Sequence, residues 1–181
     1  MNNSDGSRVD RSQPRLVERL RSALRGDRFW YGFLGSKSDD QYGLHLAVLV
    51  EPYLQLLISG RKTLESRFSR RQTPPYRIVS VGDVLLLKRS GGPILGICQV
   101  AETWFYQVDW TICEEIRRRF SDGLCIQNEE DFWEKVGMAS FATLMRVSHV
   151  HALRPVSYQK RDRRAWVVLR SRSSQLRLKL R

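Results

Sequence analysis

Residues 44–68 read LHLAVLVEPYLQLLISGRKTLESRF. The first seven set Leu44, Leu46, Val48 and Val50 against His45, Ala47 and Leu49, the two-residue period of a strand. His45 has no second histidine near it and is expected at the surface or only partly buried. Glu51-Pro52 stops the strand, because proline cannot donate to a central ladder. Tyr53, Leu54, Leu57 and Ile58 then share one face of a helix, with Pro52 in its first turn and Gly60 as its stop. KTLESRF alternates again. Extended, it points Thr63, Glu65 and Arg67 one way and Leu64 and Phe68 the other, toward a core. Lys62 stands at the turn made by Gly60, where its flexible stem can swing to the polar face.

The rest of the pattern is built outward from this strand, helix and strand. Gly82-Asp83 turns into a strand at VLLLK (84–88). Ser90-Gly91-Gly92-Pro93 forms a hairpin loop into ILGICQVAET (94–103). Residues 110–120 place Trp110, Cys113, Ile116 and Phe120 on one face of a helix that Gly123 ends. A shorter helix covers 128–138, with Asn128 as N-cap and acids in its first turn. ATLMRVSHVHAL (142–153) alternates as a strand closed by Pro155, and RAWVVLR (164–170) is the last strand. Short alternating strands and a hairpin predict an α+β fold. Its core is a small mixed or antiparallel, closed β-sheet with helices at its sides, rather than a doubly wound sheet.

Upstream, residues 1–13 are polar and read as disordered. Leu16, Val17, Leu20, Ala23 and Leu24 then mark an amphipathic helix beginning near Pro14 and stopped by Gly26. Arg15, Arg19, Arg21 and Arg25 decorate it, either as a solvated face or as a basic arm along a phosphate backbone. Residues 26–43 read as a loop anchored by aromatics. The domain division is therefore 1–43 as an extension, 44–170 as the folded domain and 171–181 as a basic tail.

The chain has 181 residues, with 31 Lys and Arg against 19 Asp and Glu, a net charge of +12. That excess points to a polyanionic partner, RNA before others. No run reaches the roughly 18 apolar residues of a membrane span, and the first residues lack a secretory pattern, so a cytoplasmic protein without a membrane partner is expected. Cys98, Cys113 and Cys125 lack disulfide or zinc spacing. Cys98 and Cys113 read as small core residues, and neither a cofactor nor a metal is expected.

One acid, Glu65, lies among Arg61, Lys62, Arg67, Arg70 and Arg71. It can be the counter-ion that lets these cations coexist. It can be part of a pocket in which Lys62 and Arg67 hold phosphate or carbonyl oxygens while Glu65 accepts from a base amino group. Or Lys62 and Glu65 can act as acid and base. Trp104, Phe105, Tyr106 and Trp166 are aromatics available for base stacking. Lys160, Arg161, Arg163 and Arg164 add charge before the last strand, and Arg117, Arg118 and Arg119 read as a solvated helix face.

Strand, helix, Gly-x-Lys-x-x-Glu-x-Arg at Gly60, Lys62, Glu65 and Arg67, then GDVLLLK, GICQV and RRAWVVL together resemble the ASCH domain, a PUA-like family, over about residues 44–170. The resemblance implies a small β-barrel flanked by helices, with a cleft lined by the motif. It also implies RNA binding, with the contacts falling to Lys62, Thr63, Glu65, Arg67, Arg70, Arg71, Arg164 and Trp166. Some members are hydrolases that remove an acyl group from acetylated cytidine, and at least one is described as a ribonuclease. In the deacylating members a threonine three residues after the motif lysine is the nucleophile. Glu65 stands there in this chain, and Thr63 is one residue after Lys62, so only Lys62 carries over from that mechanism. The expectation is an RNA-binding module. The alternatives are a hydrolase of a modified nucleoside or of single-stranded RNA, using Lys62 and Glu65, and a protein-interaction module.

Overall fold

A computed structural model describes residues 12–38, 40–126, 129–160 and 163–172. Of the start expected to be disordered over 1–13, residues 1–11 lie outside these, as do Asn128, Arg161 and residues 173–181 of the basic tail, whereas Ser12 and Gln13 begin a helix. The chain divides into two compact units, Met1–Ser36 and Lys37–Arg181.

In the first unit, helix α1 covers Ser12–Ala23 and helix α2 covers Arg28–Ser36. Leu16, Val17, Leu20 and Leu24 are buried as their spacing predicts. Ala23 is exposed. Residues 28–36 are helical, not part of the aromatic-anchored loop expected over 26–43. Asp27 caps α2 by accepting from the Trp30 N–H at 2.8 Å, Phe29 and Phe33 stack one turn apart, and Trp30 and Leu34 are buried. These contacts override the cost of about 1 kcal/mol for each helical glycine. Arg21 ties the two helices by donating from Nε and Nη2 to the Leu34 carbonyl.

The second unit is an α+β fold built on a mixed sheet of six strands. They are β1 (Leu44–Leu49), β2 (Leu64–Ser69), β3 (Val84–Arg89), β4 (Ile94–Gln107), β5 (Phe141–Val156) and β6 (Trp166–Arg170), in the order β2-β5-β4-β3-β1-β6. Only the β1–β3 pair among them is parallel. β5 runs through Pro155 to Val156 rather than closing before it. The long β4–β5 pair breaks register at three places, and such bulges increase twist. The sheet accordingly curls into a half-barrel.

Two clusters of buried residues flank the site. Inside the curl lie Leu49, Leu85, Leu87, Cys98, Met145 and Trp166, together with Leu54 and Leu57 of helix α3 (Tyr53–Ile58). On the outer face, Leu64, Ala142 and Leu144 pack with helices α4 (Trp110–Leu124) and α5 (Glu130–Gly137). The alternation read in 62–68 holds from Leu64 onward, where β2 begins: Leu64 and Phe68 join the second cluster, while Glu65 and Arg67 line a cavity on the other side and Thr63 does not join them.

Several expectations change here. His45 is wholly buried, because β1 is a central strand covered on both faces. Trp110 is 79% exposed while Cys113, Ile116, Phe120 and Leu124 form the buried face of α4. Gly123 does not end α4. The helix stops at Cys125, which is left-handed at φ 58. A Cβ on Gly123 would meet Leu64 Cδ1 at 2.6 Å, so the glycine lets β2 lie against the helix. No helix of the described residues is long and apolar enough to cross a membrane.

Candidate nucleic-acid interface

The Gly60 turn (φ 75) sends the chain from α3 back along the sheet edge. Backbone bonds hold that turn: the Lys62 N–H donates to Leu56 O at 2.9 Å, the Thr63 N–H to Gly123 O at 2.9 Å, and the Val147 N–H to Thr63 O at 3.0 Å. Lys62 swings inward, as its place beside the glycine predicts. Its Nζ donates to Glu65 Oε2 at 2.8 Å and to the Leu64 carbonyl. Arg67 Nη2 lies 2.9 Å from Glu65 Oε1 and donates to the Val48 carbonyl at 3.1 Å. Glu65 thus bridges two cations, one carboxylate oxygen to each.

Lys62 and Glu65 are almost wholly buried, at 4% and 3% exposure. Burial pushes the Glu65 carboxyl up, but the Lys62 and Arg67 charges and their hydrogen bonds outweigh it and hold it below the usual carboxylate value. Burial, and secondarily the Glu65 charge, pushes the nearby Cys98 thiol up, which makes Cys98 an inert core residue.

Lys62, Glu65, Ser66 and Arg67 form the polar wall of a cavity of about 270 Å³. Its other walls are largely apolar: Val48 and Leu49 of β1, Val50 just beyond it, Leu124, Ile126, and the rings of Tyr53 and Phe132. The Tyr53 hydroxyl donates to Glu129. Burial, with the Glu129 hydrogen bond and charge, pushes that hydroxyl up to about 12, so it remains a donor. Arg67 separates this cavity from a second one of about 530 Å³, which lies between the two sheet-edge strands, β2 and β6.

Lys62, Glu65 and Arg67 therefore come together, and Trp166 backs them, with the Arg67 guanidinium 5.4 Å from its ring centre. Trp166 is 5% exposed and belongs to the inner core, where it supports Arg67 and lines part of the second cavity. Thr63 is exposed and outside the cavity lining; its backbone holds the turn. Arg70 and Arg71 are exposed beyond the end of β2. Arg164 lines the second cavity. Trp104, Phe105 and Tyr106 do not form a stacking platform, because β4 extends through them and packs them on Phe120 and Tyr76.

No protein-family model matches the sequence, and no curated protein matches it. Solved structures do. The crystal structure of ASCH from Zymomonas mobilis is 14% identical, with a TM-score of 0.57, over 76% of this chain and 94% of that one. A serine-to-alanine mutant of that protein is 15% identical, with a TM-score of 0.56, over 80% of this chain and 99% of that one. A tyrosine-to-phenylalanine mutant is 14% identical, with a TM-score of 0.55, over 76% of this chain and 97% of that one. The chain has the ASCH fold.

Within this ASCH fold the sequence reading missed two cavity residues, Tyr53 and Phe132. Tyr53 has a sequence signal as the residue after Pro52 at the start of the helix that leads to the motif. Phe132 has none, since it reaches the cavity from α5, far along the chain. The reading also missed a second polar centre. Asp83 Oδ1 accepts from the Gly43 N–H and from Arg172 Nε, each at 2.7 Å; Oδ2 accepts from the Ser80 N–H at 2.8 Å and lies 3.1 Å from His45 Nε2. Burial pushes the Asp83 carboxyl up, yet His45 and the two backbone donors hold it below its usual value.

The two depressed carboxyls set the acid limb of stability. Each binds a proton more readily in the unfolded chain than in the folded one. Their stabilisation is therefore complete above the ordinary values, 4.5 for Glu65 and 3.8 for Asp83, and is lost as pH falls toward the folded values. The contribution of these groups is expected to be flat above about pH 4.5 and to fall below it. Urea unfolding midpoints from about pH 7 to about pH 3 measure this. Glu65→Gln should remove the upper part of the limb, and an unchanged limb in that variant would contradict the assignment.

Proposed function

We propose that the protein is an RNA-binding, PUA-like module whose motif cavity takes a single unpaired or modified base. The Lys62–Glu65–Arg67 constellation on the wall of an otherwise apolar cavity carries this reading. A cavity of about 270 Å³ sits just under the range of roughly 300–1,000 Å³ usual for small-ligand pockets, which suits a base or nucleoside. Tyr53 and Phe132 supply ring faces against which a base can lie. Arg67 Nε has no hydrogen-bond partner among the described residues, leaving a donor for a carbonyl or phosphate oxygen. Glu65 retains acceptor capacity for a base amino group, since a carboxylate offers about four lone-pair sites. The net charge of +12 favours a polyanion.

The same geometry argues for binding over catalysis. A general base works best with a pKa near the operating pH. Glu65 is shifted the other way and has a cation on each oxygen. The threonine position of the deacylating type is filled by Glu65, and Thr63 lies outside the cavity.

Photocrosslinking to RNA with mapping of the adducts tests the location. Adducts are expected on the cavity residues Tyr53, Lys62, Ser66, Arg67 and Phe132, and adducts confined to other surfaces would overturn the reading. Arg67→Met is expected to weaken base binding about 10- to 100-fold, the equivalent of one hydrogen bond to a charged group at about 1.5–3 kcal/mol. Turnover of N-acetylcytidine that is lost in Lys62→Ala would instead establish the hydrolase.

A further inference from the structure

The half-barrel has two edge strands, β2 and β6, and Arg67 reaches from one to the other. Its side chain leaves β2, lies 5.4 Å from the Trp166 ring centre on β6, and donates to the Val48 carbonyl of β1 at 3.1 Å. The motif cavity and the second cavity, of about 530 Å³, share Arg67 and Ala165 as a common wall. Both bonds that Arg67 makes to Val48 and Glu65 leave from Nη2. Nε has no partner among the described residues, and the side chain is 18% exposed. Lys62 and Arg67 bring two positive charges to the triad and Glu65 one negative charge, so one positive charge is left over. Uncompensated charge held largely out of water is costly, and an anion beside Arg67 offsets that cost.

We infer that the second cavity holds the nucleoside next to the one in the motif cavity, with the phosphodiester that joins them on the Arg67 guanidinium. This rests on the reading given under Proposed function. The unit bound is then a two-nucleotide step of a single strand rather than one base. The shared wall supports it: a group in either cavity lies against the same arginine, so one phosphate there serves both nucleosides, and a guanidinium matches a phosphate in charge and in donor geometry. The second cavity has the size usual for small-molecule sites, roughly 300–1,000 Å³. The rings of Tyr76, Trp166, Pro74 and Pro75 line it, surfaces on which a base is held without its edge being read. Trp166 is 5% exposed and its Nε1–H has no acceptor among the described residues, a stranded donor whose cost a ligand oxygen offsets.

The test uses cytidine, its two monophosphates (on the 3′ or the 5′ oxygen) and the dinucleotide CpC. The monophosphate that places its phosphate on Arg67 is expected to bind about 10- to 100-fold more tightly than cytidine, the scale of one hydrogen bond to a charged group. CpC is expected to bind about 10-fold more tightly still, the scale of one base stacked on a ring. Thr73 locates the second nucleoside, because it is exposed and lines the second cavity but not the motif cavity. At low salt, Thr73→Glu is expected to weaken CpC binding several-fold and Thr73→Arg to strengthen it, with cytidine unchanged in both. CpC binding no tighter than the monophosphates, or CpC binding that neither Thr73 variant moves, would overturn the second nucleoside site while leaving the base-binding reading in place. Equal changes for cytidine and CpC in the Thr73 variants would overturn it too, since the effect would not be on the added nucleotide. If wild type bound none of the probes, this site and the base-binding reading would fall together.

Discussion

Glu65→Ala is expected to destabilise the protein by about 3–5 kcal/mol, the cost of leaving a buried charge without its partner. The side chain accepts from Lys62 Nζ at 2.8 Å and lies 2.9 Å from Arg67 Nη2. Alanine leaves the Lys62 ammonium, 4% exposed, with only the Leu64 carbonyl as its described hydrogen-bond acceptor. Arg67 suffers less, since it keeps the Val48 carbonyl and the Trp166 ring. Urea unfolding measures the loss, and a change below about 1 kcal/mol would mean the buried triad is not a structural unit. A second variant separates structure from function. Replacing a buried pair by apolar groups of similar volume is often close to neutral, so Lys62→Met with Glu65→Leu should recover most of the stability. If the constellation binds a base, that double variant should fold and fail to bind. A stable double variant that bound as wild type does would assign the triad to folding alone.

The second large effect is expected at Asp83. Asp83→Ala removes the acceptor for the Gly43 and Ser80 N–H groups and for Arg172 Nε. A donor stranded away from water costs about 1–3 kcal/mol, so the two backbone donors alone predict a loss of about 2–6 kcal/mol. No cavity described above includes Asp83, so base affinity should be retained wherever the variant is folded. Amide exchange at Gly43 and Ser80 gives an independent readout, and protection there equal to wild type would refute the role. Gly43 belongs to the same device: a Cβ at this position would sit 2.8 Å from the Asp83 carboxylate, so the close approach requires glycine.

Much of the second unit was legible because its signals are local. The alternation in 62–68, the proline and glycine that bracket α3, and the Ser90–Pro93 hairpin each act within a few residues, and each appears where the pattern places it. The inward swing of Lys62 followed from one glycine turn and a flexible stem. The failures share a different cause. His45 and Trp110 look alike in a periodic pattern, as polar-tipped rings on otherwise apolar faces, yet one is wholly buried and the other 79% exposed. Only the packing over β1, where the Asp83 carboxylate and the Trp166 ring meet His45, decides that His45 has no solvent side. Trp104 and Tyr106 are half-buried against Phe120 because α4 lies over β4, a packing that no local spacing encodes. The α2 segment reads as a loop anchored by aromatics, and those aromatics instead pack along a helix, Phe29 on Phe33, with Trp30 buried.

The sequence by itself determined which side chains carry charge, which strand presents Glu65 and Arg67 opposite Leu64 and Phe68, and where the chain must turn. Local sterics and the two-residue strand period suffice for that. Only the tertiary structure decided that Lys62, Glu65 and Arg67 close on one another out of water and that Tyr53 and Phe132 complete their cavity. Those meetings join segments far apart in the chain, and they depend on how the bulged β4–β5 pair curls the sheet.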